Sequence, residues 1–86
     1  MNINELIAII KKKLQINIII EKIEIEDKSF LHKKHAGHEE GKFHLKIEIY
    51  SKELKKLNKI ESTKKIYKIL DQELEKFIHS IQILVH

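Results

Sequence analysis

Eighty-six residues, 42% hydrophobic and 35% charged, carry a formal net charge of +4 and contain neither cysteine nor proline. A chain this short buries roughly 60 to 65% of its unfolded surface in one core, so a single domain over residues 1–86 is expected, too apolar to be disordered by composition. Without cysteine there are no disulfides, thiolate zinc sites or cysteine nucleophile, and metal ligation rests on histidine, carboxylate or a partner's sulfur.

The opening, MNINELIAIIKKKL, lacks the layout of a signal peptide, and no apolar run approaches the ~18 residues of a membrane span, so a soluble cytoplasmic protein is expected. Asn2 followed by Glu5 fits an N-cap with its N3 carboxylate, and Ile3, Leu6, Ile7, Ile10 and Leu14 recur at helical spacing, which predicts a helix over residues 3–14. The period then changes to two: Ile23 and Ile25 alternate with Glu24 and Glu26 in a strand with one apolar face. Asp27 to Lys42 breaks both periods and holds both glycines, Gly37 and Gly41, as a loop would. In a second strand, expected antiparallel to the first, Leu45, Ile47 and Ile49 point one way and His44, Lys46, Glu48 and Tyr50 the other.

Ser51 can cap a short helix carrying Leu54 and Leu57, and Asn58 with Glu61 repeats the capping pattern before a longer helix. Ile60, Thr63, Ile66, Tyr67, Leu70, Leu74 and Phe77 form the stripe expected to pack on the sheet. The chain closes with a strand in which Ile81, Ile83 and Val85 share an inward parity that includes His79. The order is αββααβ: an α+β sandwich in which helices pack on a three-stranded mixed sheet.

Two groups of residues invite chemistry. The segment Ser29 to His44 holds four of the six histidines, and His32, His35 and His38 form an H-x2-H-x2-H run to which His44 could add a fourth zinc ligand. Loop histidines need rigid spacing to hold zinc, and Lys33 and Lys34 place positive charge beside the would-be cation. His44, on the outward parity beside Lys46, reads as a surface histidine whose role stays open. Lys55, Lys56, Lys59, Lys64 and Lys65, with Lys52 and Lys68, surround the later helices and could meet phosphates. Glu53, Glu61, Asp71, Glu73 and Glu75 interrupt them, and a solvated face of paired charges has the same composition. No nucleophile elbow surrounds Ser29 or Ser51 and no acidic pair suggests general acid and base, so no enzyme is expected.

Several motifs together resemble the BolA-like family over nearly the whole chain. Its strand-to-loop signature, an acidic residue just ahead of Ser with His shortly after, is similar to Asp27-Lys28-Ser29-Phe30-Leu31-His32. Its His-aromatic-Lys-apolar strand ending in Ser resembles His44-Leu45-Lys46-Ile47 running on to Ser51, and its closing His-small-apolar segment matches Ile78-His79-Ser80-Ile81. Tyr67 sits where the family places an aromatic after its helix-turn-helix motif. The usual Arg-His-Arg triplet before that aromatic is Ser62-Thr63-Lys64 here, and Lys56 replaces the glycine between the short helices, which weakens the implied nucleic-acid face.

The resemblance implies a fold similar to a class II KH domain and a binding function. Members pair with a monothiol glutaredoxin and glutathione and share a [2Fe-2S] cluster, to which the BolA-like partner contributes imidazole; the isolated chain is then a cofactor-free monomer. By resemblance His79 is the carboxy-terminal ligand and His32 the loop ligand, with His35 and His38 as rivals. The roles implied are iron-sulfur cluster trafficking or iron sensing, and, as the alternative, transcription regulation through DNA bound on the lysine-rich helix-turn-helix face. Two neutral imidazoles in place of two thiolates raise a cluster's potential and make it pH-sensitive. Taken alone, a histidine at the end of a strand is ordinarily satisfied by a hydrogen bond.

Overall fold

A computed structural model describes residues 1–29 and 42–86; His32, His35 and His38 lie outside the described residues. Helix α1 (Ile3–Asn17) starts where Asn2 Oδ1 accepts the Glu5 N–H at 2.8 Å, while the Asn2 amide donates to the Glu5 carboxylate at 2.9 Å. It runs one turn past its expected end. The Ile18 N–H bonds Leu14 O, and the Asn17 side-chain amide donates to Lys13 O at 2.7 Å, so two of the last carbonyls are satisfied without a glycine.

Strands β1 (Lys22–Asp27) and β2 (Phe43–Tyr50) pair antiparallel, as expected, with Ile23 opposite Ile49 and Ile25 opposite Ile47. Strand β3 (Ile78–Val85) runs parallel to β2, which makes β2 the centre of a mixed sheet. A parallel partner requires a crossover, here α2 (Lys52–Lys55), α3 (Lys59–Ile69) and α4 (Asp71–Lys76). Leu45, Ile47 and Ile49 of β2 point into one core with Leu6, Ile10 and Leu14 of α1 and Ile66 and Leu70 from the later helices. Each such fully buried aliphatic side chain contributes about 1.5–3 kcal/mol of transfer free energy.

The long helix differs from its expected form in two ways. Leu70, at φ −96° and ψ 17°, ends α3 and separates it from α4. The stripe turned to the core is Ser62, Ile66, Leu70 and Glu73, whereas Ile60 and Tyr67 are exposed at 68% and 42%. Both stripes have helical spacing and both contain Ile66 and Leu70. The small Ser62, whose hydroxyl donates to Lys59 O at 3.1 Å, lets the helix lie close, and Lys13 answers the buried Glu73 carboxylate at 2.6 Å.

Ser51 joins three elements. Its buried hydroxyl donates to Ile19 O at 2.7 Å and accepts the Leu54 N–H at 3.1 Å, capping α2 and tying the α1–β1 connection to the end of β2. Removing it deletes a cap and orphans a carbonyl, each costing about 1–2 kcal/mol. Ser51→Ala should therefore lower the melting temperature by roughly 8–20 °C in thermal denaturation; an unchanged midpoint would show that the hydroxyl does not hold the two segments together.

Candidate histidine site at the edge of the sheet

The site lies where the chain leaves β1 and re-enters through β2. The Asp27 carboxylate accepts the Ser29 N–H at 2.9 Å, which turns the backbone out of the strand. Lys28 N–H still donates to His44 O at 2.7 Å, continuing the ladder by one step. In the same pair the Ser29 hydroxyl takes the place of a main-chain carbonyl and accepts the His44 N–H at 3.0 Å. The Asp-Lys-Ser motif is thus a strand terminus that keeps His44 tied to β1 from both sides of its peptide.

Across β2, the register to β3 carries an irregularity. Phe43 pairs with Ile78, but His44 pairs with Ser80, so His79 is the extra residue of a β-bulge and reverses the parity of the strand at that point. Ile78 is buried in the core, while His79 is exposed, not inward as strict alternation from Ile81, Ile83 and Val85 predicts. The bulge sets His79 and Ser80 together opposite His44, whose ring centroid lies 4.8 Å from that of His79 at an interplanar angle of 46°. His44 Nδ1 and Ser80 Oγ share a hydrogen bond of 2.6 Å.

His44 is also unlike its sequence reading: it is only 6% exposed and engaged with Ser80, not a surface side chain. Parity assigned its face correctly. What parity does not contain is the neighbouring strand, because Ser80 reaches His44 only through a parallel register set by a bulge. Among the described residues no group of three or more histidine, aspartate or glutamate side chains converges as a metal site. The sixth histidine, His86, is far along the strand, stacked on Tyr50 at 4.6 Å, with its carbonyl accepting the Ser51 N–H.

The lysines divide. Lys55, Lys56, Lys59 and Lys64 are exposed around α2 and α3, whereas Lys65 is half-buried and reaches Glu53 at 3.4 Å. Ile60, Thr63 and Tyr67 add an apolar strip between Lys59 and Lys64. On the open sheet face, charges alternate in pairs: Lys22 with Glu24 at 2.9 Å and Lys28 with Glu26 at 2.8 Å. No helix among the described residues is long and apolar enough to cross a membrane.

A family model described as BolA-like protein matches residues 14–86. The chain belongs to the BolA-like family. It is 32% identical over 75 residues to the DNA-binding transcriptional regulator BolA of Haemophilus influenzae, an alignment covering 87% of this chain and 70% of that protein. The BolA domain of SufE1 from Arabidopsis thaliana superposes with a TM-score of 0.75 at 27% identity, over 91% of this chain and 86% of that one. BolA1 from Arabidopsis thaliana gives a TM-score of 0.74 at the same identity and coverage. Sequence and fold thus agree on the α+β architecture with a three-stranded mixed sheet. The BolA-like match includes all three strands and therefore the whole bulge.

The ion pair at the root of the site has a titration signature. The Lys28 ammonium, hydrogen-bonded to Glu26, holds that carboxyl below the usual carboxylate range. A lowered folded-state pKa means the pair's stabilisation is present at neutral pH and is lost as pH falls through the Glu26 midpoint. In Lys28→Ala, an NMR titration of the Glu26 side chain should show the midpoint rising toward the ordinary range; an unmoved midpoint would assign the shift to something other than Lys28.

Proposed function

We propose that this protein is an adaptor that docks a monothiol glutaredoxin carrying glutathione and shares a bridging [2Fe-2S] cluster with it, in cluster trafficking or iron sensing. The observation that carries this reading is His79: an exposed imidazole raised by a bulge on an edge strand, in a chain with no cysteine. The donor chemistry fits. Imidazole is a competent ligand to one iron of a two-iron centre, with the other iron held by sulfur, and the described residues offer no third donor that would close a site without a partner. The sulfur therefore comes from the glutaredoxin cysteine and glutathione. His32 is the second imidazole in this reading, with His35 and His38 as rivals.

The remaining residues prepare the docking. Edge strand β3 presents His79 outward, where a partner can approach without opening the core. Ser29 fixes the point from which the histidine-bearing segment departs. When bound, the cluster would supply one-electron chemistry and serve as transferable cargo, with a potential raised by imidazole and sensitive to pH.

Mixing the protein with cluster-loaded monothiol glutaredoxin should produce a new visible circular dichroism spectrum. His79→Ala should abolish it while changing folding stability by no more than about 0.5 kcal/mol, because the side chain is exposed. An identical spectrum with the mutant would remove His79 as a ligand, and no change with the wild type would end the reading.

A second reading has its own observation. The Haemophilus influenzae relative is named as DNA-binding, and Lys55, Lys56, Lys59 and Lys64 stand exposed around α2 and α3. It ranks second because Ser62-Thr63-Lys64 replaces the family's triplet, Ser62 is buried, and Lys65 is committed to Glu53. If these lysines meet phosphates, duplex affinity should fall log-linearly with salt, and each Lys→Ala change should reduce the slope by about one. Absence of binding at low salt would eliminate it.

A further inference from the structure

We infer that His44 is a positioning residue that holds the His79 imidazole in one orientation before any partner arrives, and that Ser80 is the clamp through which it does so. The inference rests on the proposed ligand role of His79 for its purpose, but not for its geometry. An exposed histidine samples several side-chain rotamers, and confining it on binding costs rotamer entropy unless the orientation is already set. Here the exposed ring lies 4.8 Å from a buried ring, tilted 46° to it.

His44 is itself held at three points, two on its main chain and one on its ring. Its main-chain N–H donates to Ser29 Oγ, its carbonyl accepts the Lys28 N–H, and its Nδ1 shares the 2.6 Å hydrogen bond with Ser80 Oγ. The hydroxyl that fixes His44 belongs to the residue next to His79, so the bulge, the clamp and the ring form one closed loop of contacts. A buried imidazole held this way costs more to reorient than a free one, because turning it orphans a polar atom. The second-layer partners of metal-bound histidines in general act this way, orienting a ligand they never replace.

The test uses the apo protein, so that it reads orientation independently of any cluster. The χ1 populations of His79 follow from three-bond couplings to its ring Cγ in isotope-labelled protein. The wild type and Ser80→Thr, which keeps the hydroxyl, should show one dominant rotamer. Ser80→Ala and His44→Phe, which keeps a ring but lacks Nδ1, should show loss of that dominance, with at least two rotamers populated. Thermal denaturation of each variant reports folding, and Ser80→Ala carries the test if His44→Phe does not fold. A single unchanged rotamer in folded Ser80→Ala would overturn the proposal, as would Ser80→Thr behaving like Ser80→Ala. Visible circular dichroism with cluster-loaded glutaredoxin separates the two layers. If the wild type gives no spectrum while the rotamers respond as stated, the cluster reading has failed and the positioning role stands; a wild-type spectrum with rotamers insensitive to Ser80 has the reverse meaning.

Discussion

The arrangement depends on the parallel ladder between β2 and β3 and on the one residue that does not fit it. From Leu45 with Ile81 to Ile49 with Val85 the two strands run in step and bury their apolar parity against the helices. That burial pins the register, since a slip of one place would turn every isoleucine to the open face. At Phe43 and His44 the register shifts, and the extra residue is His79. The core forces Ile78 inward on one side of the irregularity and Ile81 on the other, so the two residues between them face outward together. A polar pair, His79 and Ser80, is thereby placed opposite His44 by the packing of the apolar residues on either side of it.

Much of this was legible in the residues. Asn2 with Glu5 and Asn58 with Glu61 marked real N-caps, with acceptor distances of 2.8 Å in each case. The alternation at Ile23–Ile25 and Leu45–Ile49 marked the two antiparallel strands and the correct faces. The motifs around Asp27, His44 and His79 pointed to the family to which the chain belongs. Where reading by period failed, the cause was physical. A bulge breaks the two-residue period at one point only and leaves no mark in composition, so period alone puts His79 on the wrong face. The α3 stripe was ambiguous because Ile60 and Tyr67 are as apolar as core residues, while the residues turned inward include Ser62 and Glu73, polar groups made tolerable by Lys59 O and Lys13.

His44 shows the limit most clearly. Its parity was readable and its burial was not, because burial came from a strand 36 residues away whose register depends on the bulge. The Asp27-Lys28-Ser29 motif was recognisable as a signature without a reason; the reason is that a serine hydroxyl replaces a ladder carbonyl at the strand's last step. Motif and chemistry thus converge on one small region, while the lysines of α2 and α3 lie on a separate surface.

In a cysteine-free chain, histidine nitrogen is the only side-chain nitrogen suited to bind iron beside a partner's sulfur. The most direct measurement of that claim is pulsed electron paramagnetic resonance of the reduced complex with glutaredoxin, in which only this chain carries 15N-labelled histidine. The account predicts strong nuclear couplings from 15N bound directly to iron, with the His79 contribution missing in any cluster that His79→Ala still forms. A well-formed cluster with no 15N coupling from this chain would contradict it, leaving the protein a BolA-like fold that docks without sharing the metal.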